Sequence, residues 1–328
     1  MTPRGRLAAS APYLALPLLA AAALPAMSFS TWITLTAAGA AMGAMLFLMA
    51  SGLTLVFGLM DVLNFAHGAF ITLGAYLATS VFAALAGWVA ADSLGLNLLA
   101  LAAAILAAAL VSGLGGMAFE RLIIRRVYGS HLQQILITVG GLIVAGQLMV
   151  AIWGAEPAPI ARPALLRGSI LLAGGTIETY RLVAAALGLA VYLAMQLVLG
   201  RSRIGLLVRA GVENREMVEA LGYRVRSLFV GVFAAGSMLA GIGGAMWAGY
   251  QEIVTTAIGA DMTVLVFIVV IIGGLGSIGG CFIGALLVAM VANYGGFLVP
   301  KLALVSNILL MVAILMWRPR GLYAVTSR

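Results

Sequence analysis

Long apolar runs, separated by short gaps that hold most of the arginines, constrain this chain more than any other feature. They extend approximately over residues 7–27, 32–60, 65–91, 96–119, 132–153, 182–200, 227–250, 262–298 and 302–317. A helix rises about 1.5 Å per residue and a bilayer core is about 30 Å thick, so about 20 apolar residues suffice to cross it. The chain has room for eight or more crossings. Only 9% of its residues are charged, against roughly 25% in an ordinary soluble domain, so water is not its main solvent.

The gaps decide orientation. Arg121, Arg125 and Arg126 form one cluster, Arg201, Arg203, Arg209, Arg215, Arg224 and Arg226 a second, and Arg318, Arg320 and Arg328 a third. Arginines flanking spans stay in the cytoplasm. Four spans separate the N-terminus from the first cluster and two more lead to the second, which fits. Three further spans would leave the tail outside. The run 262–298 resolves this, because it would make one helix of about 55 Å and carries Gly273-Gly274-Leu275-Gly276-Ser277-Ile278-Gly279-Gly280 in its middle. Glycines break it in two. The expected fold class is therefore an all-α polytopic membrane protein of eight to ten transmembrane helices, including an interrupted or re-entrant pair.

The net charge of +8 follows from the same rule, so no nucleic acid is expected as a partner. The basic tail and loop are also suited to membrane lipid head groups. Arg4 and Arg6 ahead of an apolar run resemble a secretory signal, but in a multi-spanning chain they read as an uncleaved first helix, bent or ended by Pro17 and Pro25. Cys281, the single cysteine, excludes an intrachain disulfide and reads as a small buried hydrophobe.

The gap 201–226 reads RSRIGLLVRAGVENREMVEALGYRVR. Residues 214–221 favour helix, with Asn214 as its cap and Gly222 in the left-handed position after its end. Met217, Val218 and Leu221 share one face, with Arg215, Glu216 and Glu219 elsewhere. Such a helix either lies on the membrane surface or enters a groove on a cytoplasmic partner, for which a transport ATPase is the obvious candidate. A phosphate-binding loop needs GxxxxGK followed by Ser or Thr, and the only lysine, Lys301, follows Pro300. Any ATP hydrolysis belongs to another chain, and no cofactor is expected in this one.

Asp61, Asn64 and His67 stand three apart between two apolar runs. A continuous helix would place them on one broad face, where a charge near the bilayer centre would cost about 2.5 to 3.5 kcal/mol and a substrate route would justify it. Alternatively they mark a helix junction, with Asp61 or Asn64 capping the next helix and His67 bonded to backbone. No nucleophile or metal-ligand cluster accompanies them, which argues against catalysis. Gly273, Gly274, Gly276 and Ser277 carry a parallel choice between close helix packing and a broken helix whose backbone meets a zwitterionic substrate.

The run SGLTLVFGLMDVLNFAHGAFITLGAYLA over residues 51–78 resembles the signature of the branched-chain amino acid ABC transporter permeases. Residues 209–222 look like that family's coupling region, residues 270–284 are similar to its glycine-rich segment, and Arg318-Pro319-Arg320-Gly321-Leu322 resembles its C-terminal RPxGL. The matches cover nearly the whole chain in order, which makes the combination specific.

The resemblance implies a single transmembrane permease domain over residues 1–328 with a cytoplasmic coupling loop at 201–226, in a bacterial inner membrane. The implied partners are a related second permease in a pseudo-twofold pair, two nucleotide-binding ATPase subunits holding ATP and Mg, and a periplasmic substrate-binding protein. Transport would proceed by alternating access. Arg209, Glu213, Asn214, Glu216, Met217, Val218, Leu221 and Gly222 would form the ATPase-coupling segment. Glu156 and Arg162 in one outer loop, and Glu252 and Asp261 in another, either face the binding protein or are merely solvated. Many relatives carry an acidic residue where this chain has Ala69, members with other residues there exist, and related permeases import urea, short amides or aromatic acids, so these remain alternatives to branched-chain amino acids. An ATP-independent secondary transporter or channel, using Asp61 or His67 for coupling ions, and an intramembrane enzyme are the rival classes.

Overall fold

A computed structural model describes residues 15–172, 174–202, 205–207, 210, 215–220, 222 and 225–323. A first apolar helix, Ala15–Ala26, ends in a tight turn at Pro25. The remaining apolar helices are α1 (Phe29–Met60), α2 (His67–Ala84), α3 (Leu94–Leu122), α4 (His131–Trp153), α5 (Thr179–Arg201), α6 (Val225–Gln251), α7 (Ile258–Gly273), α8 (Ile278–Leu298) and α9 (Ala303–Trp317). Among the described residues seven helices are long and apolar enough to cross a membrane, and three shorter apolar helices accompany them. This is an all-α polytopic membrane protein.

The core is α1 crossed by α6. Helix α1 is 32 residues long and is started by Ser28, whose hydroxyl accepts the Thr31 amide at 3.3 Å. From Met45 to Ala50 its side chains are 0% exposed. Lipid tails are as apolar as leucine, so membrane helices associate through close packing at small residues. The crossing shows this at Gly52, where a Cβ would run into the Gly236 carbonyl oxygen on α6. Helices α4 and α5 lie on the outside and expose apolar side chains, among them Leu136, Ile143, Leu148, Leu189 and Leu193. A leucine-rich helix facing outward is what a hydrocarbon solvent requires.

The apolar run 262–298 is interrupted as its glycines predict. Helix α7 stops at Gly273, and α8 starts at Ile278 under Ser277, whose hydroxyl accepts the Gly280 amide at 3.1 Å. Gly274 and Gly276, at φ +98° and +81°, supply the turn. The two helices fold back antiparallel, since Gly280 packs on Gly273 while Gly284 reaches the Val269 carbonyl.

The arginine-bearing helix ends gather on one side. Arg121, Arg125 and Arg226 line one cavity, and Arg320 abuts Gly274 in the α7–α8 turn. Two small antiparallel ribbons mark the opposite side. Strand β1 (Ala158–Pro159) pairs with β4 (Ile253–Val254), and β2 (Ser169–Leu172) with β3 (Gly175–Glu178).

Candidate functional site

Between α1 and α2 the chain is not helical. Asp61 ends α1 in the left-handed conformation, at φ 52°, and α2 does not begin until His67. Of the two arrangements open to Asp61, Asn64 and His67, the chain takes the helix junction. Its left-handed stop separates Asp61 from the other two. The Asp61 side chain is 74% exposed and its carboxylate lies 3.6 Å from His131 Nε2 at the start of α4. Asn64 and His67, each 1% exposed, are buried.

The stretch 61–66 has no ladder of its own, so its amides need partners within the protein. Helix α4 provides two. Leu63 donates to Gln134 Oε1 at 3.3 Å and Phe65 donates to the Thr138 hydroxyl at 3.1 Å. Gln134 and Thr138, one turn apart and nearly the only buried residues of α4, thus hold the junction open. Two polar residues at i, i+4 on a largely apolar helix were the sequence signal for this role.

No side chain caps α2; Asn64 serves only through its backbone carbonyl, which the His67 amide approaches at 3.4 Å. The Asn64 carboxamide is buried with neither oxygen nor nitrogen partnered. His67 is bonded to backbone, as the junction reading expects. Its Nε2 lies 2.8 Å from the Met49 carbonyl oxygen, so that nitrogen carries the proton, while Nδ1 is buried and unpaired. Buried amides and ring nitrogens left in this state are rare, because each costs about 1 to 3 kcal/mol. Beside this junction Ala69, Thr72, Gln147, Met149 and Thr256 line a cavity of about 290 Å³, mostly apolar with a few polar groups.

The glycine segment faces the same junction from below. A Cβ on Gly58, two residues before α1 ends, would sit 2.5 Å from the Gly276 Cα. Gly273, Gly274, Gly276 and Ser277 thus form a turn at the arginine-bearing end. The RPRGL segment closes over it: Leu322 and Tyr323 donate to the carbonyls of Ile272 and Gly273 at 2.9 and 3.1 Å, capping the end of α7.

In the loop 201–226 the helix Arg215–Ala220 forms next to α6. Val218 is 4% exposed and Met217 61% exposed, so the two point in different directions rather than sharing one face. Gly222 takes the left-handed conformation at φ +85°. Arg209, Glu213, Asn214 and Leu221 lie outside the described residues, as do the side chains of Arg215 and Glu216.

On the opposite side Arg162 is neither a solvated loop charge nor a presented one. Its side chain is 12% exposed and pairs with Glu178 and Glu252, each at 2.9 Å, while donating to the Tyr250 carbonyl at 2.6 Å. It ties the two outer loops together. Glu156 and Asp261 are exposed.

Helices broken at small residues, a non-helical stretch propped by a neighbouring helix, and buried polar groups beside an apolar cavity define a multi-pass membrane protein of the solute-moving kind. The family described as branched-chain amino acid transport system, permease component, matches residues 11–316, and this chain belongs to it. The chain is 27% identical over 290 residues to the high-affinity branched-chain amino acid transport system permease protein BraD of Pseudomonas aeruginosa, covering 87% of this chain and 93% of that protein. It is 26% identical over 296 residues to the LivH permease protein of the same kind of system in Escherichia coli, with 87% and 92% covered. The Salmonella typhimurium LivH protein is likewise 26% identical over 290 residues, with 87% and 92% covered. No solved structure matches this chain.

Proposed function

We propose that this chain is the membrane-spanning permease subunit of a binding-protein-dependent ABC importer for branched-chain amino acids. In this reading it forms one permease domain in a bacterial inner membrane, with the loop 201–226 in the cytoplasm. A related second permease, two ATPase subunits holding ATP and Mg, and a periplasmic binding protein complete the importer. Transport runs by alternating access, driven by hydrolysis on the ATPase subunits.

One observation carries the reading. The cavity beside the uncapped start of α2, with Thr72, Gln147 and Thr256 among otherwise mostly apolar walls, supplies what an aliphatic amino acid needs; the unpaired Asn64 carboxamide and His67 Nδ1 are buried in the same junction, outside that lining. Polar groups meet its charged head, and apolar walls meet its side chain without a buried protein charge. Gly273, Gly274, Gly276 and Ser277, with Asp61 nearby, form the cytoplasmic mouth of this path. The segment containing Arg209, Glu213, Asn214, Glu216, Met217, Val218, Leu221 and Gly222 docks on the ATPase, Met217 toward it and Val218 toward α6.

The test is a mild-detergent pull-down of the tagged chain, followed by reconstitution and uptake of leucine with its loaded binding protein. Recovery of an ATPase and a second permease, with leucine-stimulated hydrolysis and a coupling loss of tenfold or more on Met217→Asp, is expected. Recovery of the chain alone, with leucine flux that needs no ATP, would overturn the reading in favour of a secondary transporter.

A further inference from the structure

A cavity of about 500 Å³ opens at the arginine-bearing end, between the end of α3 and the start of α6. Arg121, Arg125 and Arg226 line it and are exposed. Among the described residues no carboxylate lies within ion-pair distance of any of the three. The same cavity contains Glu120, which is only 1% exposed. The Tyr128 hydroxyl donates to Glu120 Oε1, but Oε2 is buried and has no hydrogen-bond partner. Met117 and Val230 give the cavity an apolar wall.

Among the described residues, the lining thus offers three guanidinium groups with no carboxylate partner and one buried carboxylate oxygen with no donor. Neither an anion without a hydrogen-bond donor nor a simple cation satisfies both. Sulfate would leave Oε2 unpaired, and a metal or amine cation would face three arginines. A molecule with a primary ammonium a few bonds from a phosphate or carboxylate supplies both a donor for Oε2 and an anion for the guanidinium groups, with charge-assisted hydrogen bonds at both ends.

We propose that this cavity binds such a zwitterion, with its ammonium on Glu120 Oε2 and its anionic group among Arg121, Arg125 and Arg226. Two sources carry that chemistry, the ethanolamine phosphate head group of a membrane lipid and a free amino acid. Leu114 and Leu122, 64% and 61% exposed on α3, put hydrocarbon-facing surface beside the cavity, where a lipid would lie.

The test needs no transport. The full chain in its detergent-purified complex is titrated with short-chain phosphatidylethanolamine, phosphatidylcholine or phosphatidylglycerol and read by native mass spectrometry. Labelled leucine is titrated separately by equilibrium dialysis, with the binding protein removed. Phosphatidylcholine has the same charges but a quaternary nitrogen that cannot donate to Oε2. Binding of phosphatidylethanolamine about tenfold tighter than either other lipid, with the preference lost in Glu120→Gln and all binding weakened in Arg125→Gln, supports a lipid-occupied site. Leucine binding lost in Glu120→Gln supports the same site filled from solution. Equal binding of the three lipids together with no leucine binding overturns the proposal, and that comparison uses the unaltered chain.

Discussion

Thr138→Val tests whether α4 holds the stretch 61–66 open. The substitution keeps the side-chain volume and removes one hydroxyl, which accepts the Phe65 amide at 3.1 Å and donates to the Gln134 carbonyl at 2.7 Å. The Gln134 carbonyl keeps its place in the helix ladder. The Phe65 amide has no comparable substitute, because the segment around it lies between Asn64 and Ala66, 1% and 2% exposed. An unmet buried donor costs about 1 to 3 kcal/mol; at about 2 kcal/mol the folding equilibrium falls roughly thirtyfold. Thr79→Val is the control, since Thr79 bonds only the Ala75 carbonyl one turn back in its own helix, at 3.0 Å, and its loss costs under about 0.5 kcal/mol. Both are measured by titrating mixed micelles with dodecyl sulfate and following tryptophan fluorescence, to which Trp153, stacked on Tyr76 at 5.1 Å, reports from the far end of α4. If Thr138→Val shifts the midpoint no more than Thr79→Val does, the support by α4 is refuted.

Asn64→Leu removes two unpaired buried polar atoms and is expected to leave stability unchanged or raise it by about 1 kcal/mol, while reconstituted leucine uptake falls at least tenfold; unimpaired uptake removes Asn64 from the path. Gly274→Ala forces a Cβ onto a backbone at φ +98° and to 2.7 Å from the Tyr323 carbonyl, at a cost of about 1 to 3 kcal/mol, and should expose the C-terminal segment to limited proteolysis. Arg162→Met leaves Glu178 with Arg181 alone, 3.1 Å away, and Glu252 without its cation. Their carboxylates are 35% and 53% exposed, so water offsets part of the loss, and a destabilisation of about 1 to 3 kcal/mol is expected, read by the same micelle titration.

The sequence alone determined the solvent, the element class and most helix limits. Apolar runs and their arginine-bearing gaps respond to local physics, the length of hydrocarbon to be crossed and the side on which charge stays. The glycine break at 273–280 was legible for the same reason, since five glycines among eight residues disfavour a helix locally. Only the tertiary structure decided which polar residues are buried. Asp61 and His67 look equivalent in the sequence, yet a single left-handed residue turns one toward His131 at the surface and lets the chain carry the other to Met49 inside. Arg162 reads as a loop charge until Glu178 and Glu252, distant in sequence, close around it. The roles of Gln134, Thr138 and the RPRGL segment depend on partners about 50 to 70 residues away. Such roles are set by which backbone groups lack a local partner, and that is known only once the helices have packed.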